Sequence, residues 1–259
     1  MNSNVSLTRR LALKSLAVAA GLVALGGLSA CGSAPAEADA SKLVVAASPA
    51  PHAQILTDFA APALKEQGIE LVVKEYTDYI LPNKDTDGGS VDANYFQHIN
   101  YLDNYNAENG TDLVSAGAVH YEPMAVYAGK SADLDAIADG AVIAVPNDPT
   151  NEGRALLLLQ DLGLIKLSDP EDLEATPKDI AENPYNLVFQ ELEAGYHVED
   201  ALAHEETGSR AVEQYANIVC TAADHADDPQ VKALVELLQS DDFKAYLEAN
   251  YGQDVLPAF

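Results

Sequence analysis

Residues 42–75 hold a strand, a helix and a second strand in a run about as long as a parallel crossover needs, and this feature limits the fold most. Lys42 to Ala47 reads KLVVAA, a buried-strand candidate, and Ser48-Pro49-Ala50-Pro51-His52 breaks it. Over Ala53 to Glu66, the apolar residues Ile55, Leu56, Phe59, Ala60, Ala63 and Leu64 recur at helical spacing. Gly68 ends the helix, and Ile69 to Glu75, IELVVKE, is the next strand. Two strands joined through a helix pair in parallel, which puts the ligand side at the strand C-termini.

The alternation continues down the chain. Leu81 to Gly89 suggests a short helix plus a loop. Val91 to His98 is a short strand running into a turn that presents Tyr95, Phe96 and His98. Ile99 to Asn109 is a helix with Gly110 past its end, Leu113 to His120 a strand, and Pro123 to Tyr127 continues extended. Strands alternating with helices throughout imply an α/β sheet fold.

A second unit opens at Val142-Ile143-Ala144-Val145, where Pro146, Asn147, Asp148 and Pro149 stop the strand and turn the chain. Thr150 or Asn151 can cap the following helix, Leu156 to Leu159 form its apolar body, and Gly163 suits its C-terminus. Asn151 and Arg154 lie within one turn of that helix start. Free N–H groups, the positive end of the helix dipole and a guanidinium fork together favour a carboxylate or other small anion. A surface ion pair at Arg154 explains the same residues equally well.

The N-terminus concerns export. Arg9, Arg10 and Lys14 form a basic head, Ser15 to Leu28 is a short uncharged run, and Leu28-Ser29-Ala30-Cys31 closes it. This is the build of an export signal, too short for a comfortable membrane span. The cysteine resembles that of a bacterial lipobox, in which Cys31 becomes the lipidated first residue; Thr8 to Lys14 also looks like a twin-arginine signal. Gly32 to Ser41 is small, polar and aperiodic, a flexible tether.

The chain has 41 acidic and 14 basic residues. The first 30 residues hold three of the basic and none of the acidic ones, which leaves 11 against 41, a net charge of −30. So acidic a chain excludes nucleic acid as a partner and anionic lipid as a docking surface, so membrane attachment must come from the lipid. Of the two cysteines, Cys220 is left alone in the apolar run Ile218-Val219-Cys220, a buried structural thiol.

Nothing in the sequence marks an enzyme or a cofactor. The histidines at 52, 98, 120, 197, 204 and 225 are scattered, with no His-x-Glu-x-x-His or Cys-x-x-Cys spacing, no Gly-x-Ser-x-Gly elbow and no phosphate-cradling loop. His197 and His204 can share a helix face with Glu199 or Asp200, but a solvated acidic helix accounts for them better. A metal-binding lipoprotein is a distant alternative, and a surface lipoprotein with no small-molecule ligand is another.

Several long stretches resemble the methionine-binding lipoproteins of ABC importers, the NlpA-type family. They are TDYILPN (77–83), VDANYFQHINYLD (91–103), HYEPMAVY (120–127), AVIAVPNDPTNEGRALLLLQDLGLIKL (141–167), ATPKDIAENPYNL (175–187), YANIV (215–219) and LQSDDFKAYL (238–247). The resemblance covers nearly the whole mature chain in order. It implies a two-lobed periplasmic-binding-protein fold that closes on its ligand and delivers it to a membrane permease driven by an ATPase pair. The ligand it implies is methionine, another small amino acid or a short peptide. The lobes expected are residues 42–120 and 121–214, with a return to the first over 215–259, after a signal over 1–30 and a lipidated tether over 31–41. In this reading Arg154 and Asn151 clamp the carboxylate. Tyr79 and Phe96, with Tyr95, form a slot for the thioether through sulfur–aromatic contact. The family pattern adds His98 and Asn217 as polar partners. His52 and His120 lie at strand ends, where they can line the cleft, although a structural or solvated role accounts for each more simply.

The resemblance departs at one place. In the family, a Leu-Glu-Ala phrase like Leu192-Glu193-Ala194 leads into a helix and a strand, and only after a second such phrase comes a segment like HVEDALAHEE. Here Ala194 runs straight into Gly195-Tyr196-His197. A helix and a strand, about two dozen residues at usual lengths, are expected to be missing from the second lobe. Val198 to Ala211 reads as helix and would replace the strand poorly.

Overall fold

The computed structural model describes residues 41–130, 133–192, 201–205 and 214–259. The expected export signal, Cys31 and all of the expected tether except Ser41 lie outside the described residues, as does the junction at 193–200.

The strand–helix–strand start folds as its pattern dictates. β1 (Ser41–Ala47) pairs in parallel with β2 (Ile69–Glu75), Val44 opposite Val72. Between them, Leu56–Ala60 winds as a wide turn directly into α1 (Ala61–Glu66), and Gly68 takes the left-handed φ of +78° that lets the chain reverse. α2 (Leu81–Asp87) follows, its first turn capped by the Asp78 carboxylate, which accepts from the N–H groups of Ile80 and Leu81 at 2.9 and 2.7 Å. β3 (Ala93–His98) joins β1 on its other side, also in parallel. α3 (Ile99–Asn109) ends at Gly110, and β4 (Val114–Tyr121) returns.

Four later elements complete this body: β11 (Ala216–Thr221), α5 (Pro229–Leu238), α6 (Asp241–Asn250) and β12 (Leu256–Pro257). β11 inserts antiparallel between β3 and β4, giving a six-stranded sheet in the order β12-β4-β11-β3-β1-β2. One face buries Leu43, Val45, Ile55, Leu64, Leu234, Phe243 and Leu247. The other buries Leu102, Tyr105, Leu113, Ile218 and Cys220. Strands covered on both faces account for the near-continuous apolar runs in the sequence. Cys220 is fully buried among apolar neighbours, and burial pushes its thiol up to about 12.

The chain leaves this sheet after Tyr121. β5 (Ala125–Tyr127) leads to β6 (Val142–Pro146), α4 (Pro149–Asp161), β7 (Lys166–Leu167), β8 (Ile180–Glu182) and β9 (Val188–Leu192). β6 and β9 pair in parallel, and β7 pairs with β8. A second core of Leu156, Leu159, Leu164, Ile165, Leu167, Ala175 and Leu187 lies beneath α4. Around the β6–β9 pair, Val142 is 60% exposed, Val188 52% and Leu192 46%.

Two expectations are corrected here. The helix expected over Val198 to Ala211 is, where described, a strand: β10 (Ala201–His204) runs antiparallel to β5, with His204 opposite Ala125. An unpaired strand edge outweighs the modest helix preference of an alanine-rich segment. The cap of α4 is Asp148, not Thr150 or Asn151. Its side chain accepts from the Asn151 N–H at 2.9 Å, with Pro149 filling the first helical position. Gly163, at φ +72°, ends α4 as expected.

Candidate functional site

The C-terminal end of β3 and the N-terminal end of α4 meet at the edge of a cleft of about 1230 Å³. Phe96 and His98, two apart on β3, point to the same side of the sheet and both line it. Tyr79 stands at 5.9 Å from Phe96, ring centre to ring centre. Tyr101 closes the triangle at 6.0 Å from Tyr79 and 5.9 Å from Phe96. The Tyr101 hydroxyl donates to the Tyr79 carbonyl at 2.9 Å, which holds the loop and α3 together. The result is a three-ring wall on one side of the cleft.

Beside this wall lies a polar edge. His98 caps α3: its Nδ1 accepts from the Tyr101 N–H at 3.2 Å, so Nε2 carries the proton and donates to Asn151 Oδ1 at 3.1 Å. The Asn151 amide nitrogen donates in turn to Asp148 at 3.1 Å. The ring is thus locked in one tautomer and one orientation. Burial first, and the positive charge of Arg154 second, lower His98 from 6.5 to about 4.

That shift fixes a pH dependence. The unfolded chain takes up a proton on His98 near pH 6.5 and the folded protein only near pH 4. Stability is therefore intact above pH 6.5 and falls as the pH drops towards 4, by about 3 kcal/mol at ~1.4 kcal/mol per unit. Urea unfolding of wild type and His98→Asn at pH 7 and pH 4 checks it. Asparagine keeps a capping oxygen, so the variant should lose about 3 kcal/mol less on acidification; equal losses would refute the assignment.

Arg154 is 6% exposed and lines the cleft, but its fork is engaged. Nε donates to Glu205 Oε1 at 2.8 Å, and Nη2 donates to Glu205 Oε2 at 2.6 Å and to the Glu122 carbonyl at 2.7 Å. The guanidinium lies 4.4 Å from the centre of the Tyr215 ring and 5.4 Å from that of Tyr121. Glu205 also accepts from the Met124 N–H at 2.9 Å. Burial opposes the Glu205 charge, but the hydrogen bonds and charge of Arg154 outweigh it and hold the carboxyl below its usual range. The free anion clamp expected at Arg154 is corrected accordingly: a carboxylate of the chain itself sits in the fork. The reading as an ion pair was right in kind, although the pair is buried and not on the surface.

Of the other expected site residues, Asn217 is on the cleft wall, its Oδ1 2.9 Å from His52 Nε2. Tyr95 is not. It is fully buried in the core of the first sheet, with its hydroxyl on His120 Nδ1, because it alternates with Phe96 on the strand. Tyr101, Glu122 and Met124 also line the cleft and were not singled out from sequence. Tyr101 was within reach, since it lies three residues after a capping histidine and so returns to the same side. No helix among the described residues is long and apolar enough to cross a membrane.

Comparison with known proteins agrees with this architecture. The family model described as NlpA lipoprotein matches residues 43–200 and 195–259. Methionine-binding lipoprotein MetQ of Bacillus subtilis (strain 168) is 39% identical over 263 residues, covering 91% of this chain and 95% of the relative. Since 91% of 259 residues is about 236, about 27 positions of that alignment face no residue here. A nutrient-binding protein from Burkholderia cenocepacia, solved bound to methionine, superposes with a TM-score of 0.77 at 34% identity, over 84% of this chain and 100% of that one. An ABC transporter periplasmic substrate-binding protein from Coxiella burnetii gives a TM-score of 0.75 at 34% identity, over 83% and 99%. The fold is that of periplasmic substrate-binding proteins, and the relatives are substrate-binding membrane lipoproteins, not enzymes. With family matches over residues 43–259 and a fold shared with substrate-binding relatives, the chain belongs to the NlpA lipoprotein family.

Proposed function

We propose that this lipoprotein captures methionine, or a closely related small amino acid or short peptide, in the cleft between β3 and α4 and presents it to an ABC permease and its ATPase. A lipid on Cys31 holds it at the extracytoplasmic face of the membrane. The observation that carries the reading is the three-ring wall of Tyr79, Phe96 and Tyr101 lining one cleft together with the polar residues His98, Asn151, Arg154 and Asn217. A polarisable thioether gains from contact with aromatic rings. The charged end of an amino acid needs the hydrogen-bonding edge beside it. The methionine-bound relative supports the choice of ligand.

The second lobe is short in this reading, lacking the helix and strand that follow the first Leu-Glu-Ala phrase in the family. Three observations support this. The alignment with the Bacillus relative outruns the chain, and the two family-model matches overlap at 195–200. The cleft also exceeds the ~300–1,000 Å³ of ordinary small-molecule pockets. A lost strand takes polar contacts with it, so binding is weaker than in a full-length lobe, at about 1–3 kcal/mol for each buried polar group left unsatisfied.

Calorimetric titration with methionine tests both statements. The expected dissociation constant lies at or above the micromolar range, and Phe96→Ala weakens it at least tenfold. Affinity unchanged in Phe96→Ala would remove the aromatic wall from the site. Submicromolar binding by the wild type would contradict the shortened lobe.

A further inference from the structure

Below the cleft, where the chain leaves the six-stranded sheet, two buried histidines and a carboxylate converge. His52 and His120 are both fully buried, with ring centres 5.0 Å apart. His120 Nε2 is 2.7 Å from Glu122 Oε1, and His52 Nε2 is 3.5 Å from the same oxygen. One donor atom from each residue lies within 4.8 Å of the other two. We propose that His52, His120 and Glu122 form a binding site for a divalent transition metal of the zinc class, which does not depend on the ligand reading above.

Both rings are held as metal-binding histidines are held. Each histidine has its Nδ1 on a hydroxyl: His52 on Ser48 Oγ at 2.7 Å, His120 on the Tyr95 hydroxyl. Each has its Nε2 on the Glu122 side, His120 bonded to the carboxylate at 2.7 Å and His52 bonded to Asn217 Oδ1 at 2.9 Å with the carboxylate 3.5 Å away. Ligating histidines are oriented in this way, one nitrogen fixed by an outer partner and the other presented to the ion. A hydroxyl both donates and accepts. Each ring can therefore move its proton from Nε2, where it serves the hydrogen bonds to Asn217 and Glu122, to Nδ1, freeing the Nε2 lone pair with no net loss of a proton. Two imidazoles and one carboxylate are a donor set for zinc in sites that keep a position open, and imidazole disfavours magnesium and calcium. Glu122 and Asn217 also line the cleft, so the open position faces it. The three ligands come from the segment after β1 and from the end of β4, so an ion there would tie the exit towards the second lobe to the first sheet.

The test is a titration of the chelator-treated protein with Zn²⁺, and with Co²⁺ as the optical probe. One equivalent is expected to bind, raising the melting midpoint and giving Co²⁺ visible bands of four-coordinate intensity. His120→Gln and Glu122→Gln, which keep hydrogen-bonding side chains of similar reach, should each weaken binding at least a hundredfold while retaining a cooperative melt. If His120→Gln fails to fold, Glu122→Gln decides. His225→Gln removes an exposed histidine that contacts Asp228 and should change nothing. No stoichiometric binding, binding unaffected by Glu122→Gln, or binding lost in His225→Gln would each overturn the site and leave the triad a hydrogen-bonded strut.

Discussion

Arg154→Ala is expected to cost about 3–5 kcal/mol of stability, the range for removing one partner of a buried ion pair. Both side chains are shielded, Arg154 at 7% and Glu205 at 11% exposure, so the small values typical of surface pairs do not apply. Alanine would leave the Glu205 carboxylate buried against Tyr121 and the Met124 N–H without its counter-charge. It would also leave the Tyr215 and Tyr121 rings without the cation they flank. The pair joins α4 to the residue that follows β10, so its loss should loosen the second lobe first. Chemical denaturation measures the effect. The double replacement Arg154→Met with Glu205→Leu supplies the control: removing both charges should restore most of the stability. A loss below ~1 kcal/mol in Arg154→Ala would show that water reaches the pair.

The second large effect comes from a residue with no side chain. Gly153 lies inside α4, where alanine would ordinarily gain about 1 kcal/mol from helix preference alone. Here a Cβ would stand 2.2 Å from the Leu173 carbonyl oxygen and 2.7 Å from its carbon. Those are backbone atoms, which cannot swing aside as a flexible side chain would, so α4 must lift from the 173–175 segment. Overpacking of this kind costs about 1–3 kcal/mol or more, and Gly153→Ala is expected to destabilise despite its better helix preference. The urea midpoint should fall with the slope unchanged; a rise would mean that the loop yields freely.

Gly153 also shows where the sequence stops being readable. α4 is legible from its apolar body and from Gly163, yet nothing local says that a loop twenty residues on packs against its glycine. The opening strand–helix–strand was readable because hydrophobic period and chain length there point to the same answer. β10 was not, because its pairing with β5 is set across 74 or more residues of chain and overrides an alanine-rich local preference. In the site, Phe96, His98, Asn151 and Arg154 carry signals in their own motifs. Glu205 carries none: it reaches Arg154 only once β10 is in place. Tyr95 and Phe96 are adjacent aromatics, and the sequence offers Tyr95 as a second candidate beside Phe96. Only the register of β3 within the sheet decides that Phe96 meets the cleft and Tyr95 the core.

The most direct test of the account is a thermal melt of the purified protein with and without methionine in excess. Binding to the folded state alone stabilises it by mass action, about 2.7 kcal/mol at a hundred times the dissociation constant. The account predicts one cooperative transition whose midpoint rises with methionine concentration, and a smaller rise in Phe96→Ala. A cooperative transition that methionine leaves in place at any concentration would contradict it, keeping the fold and removing the ligand.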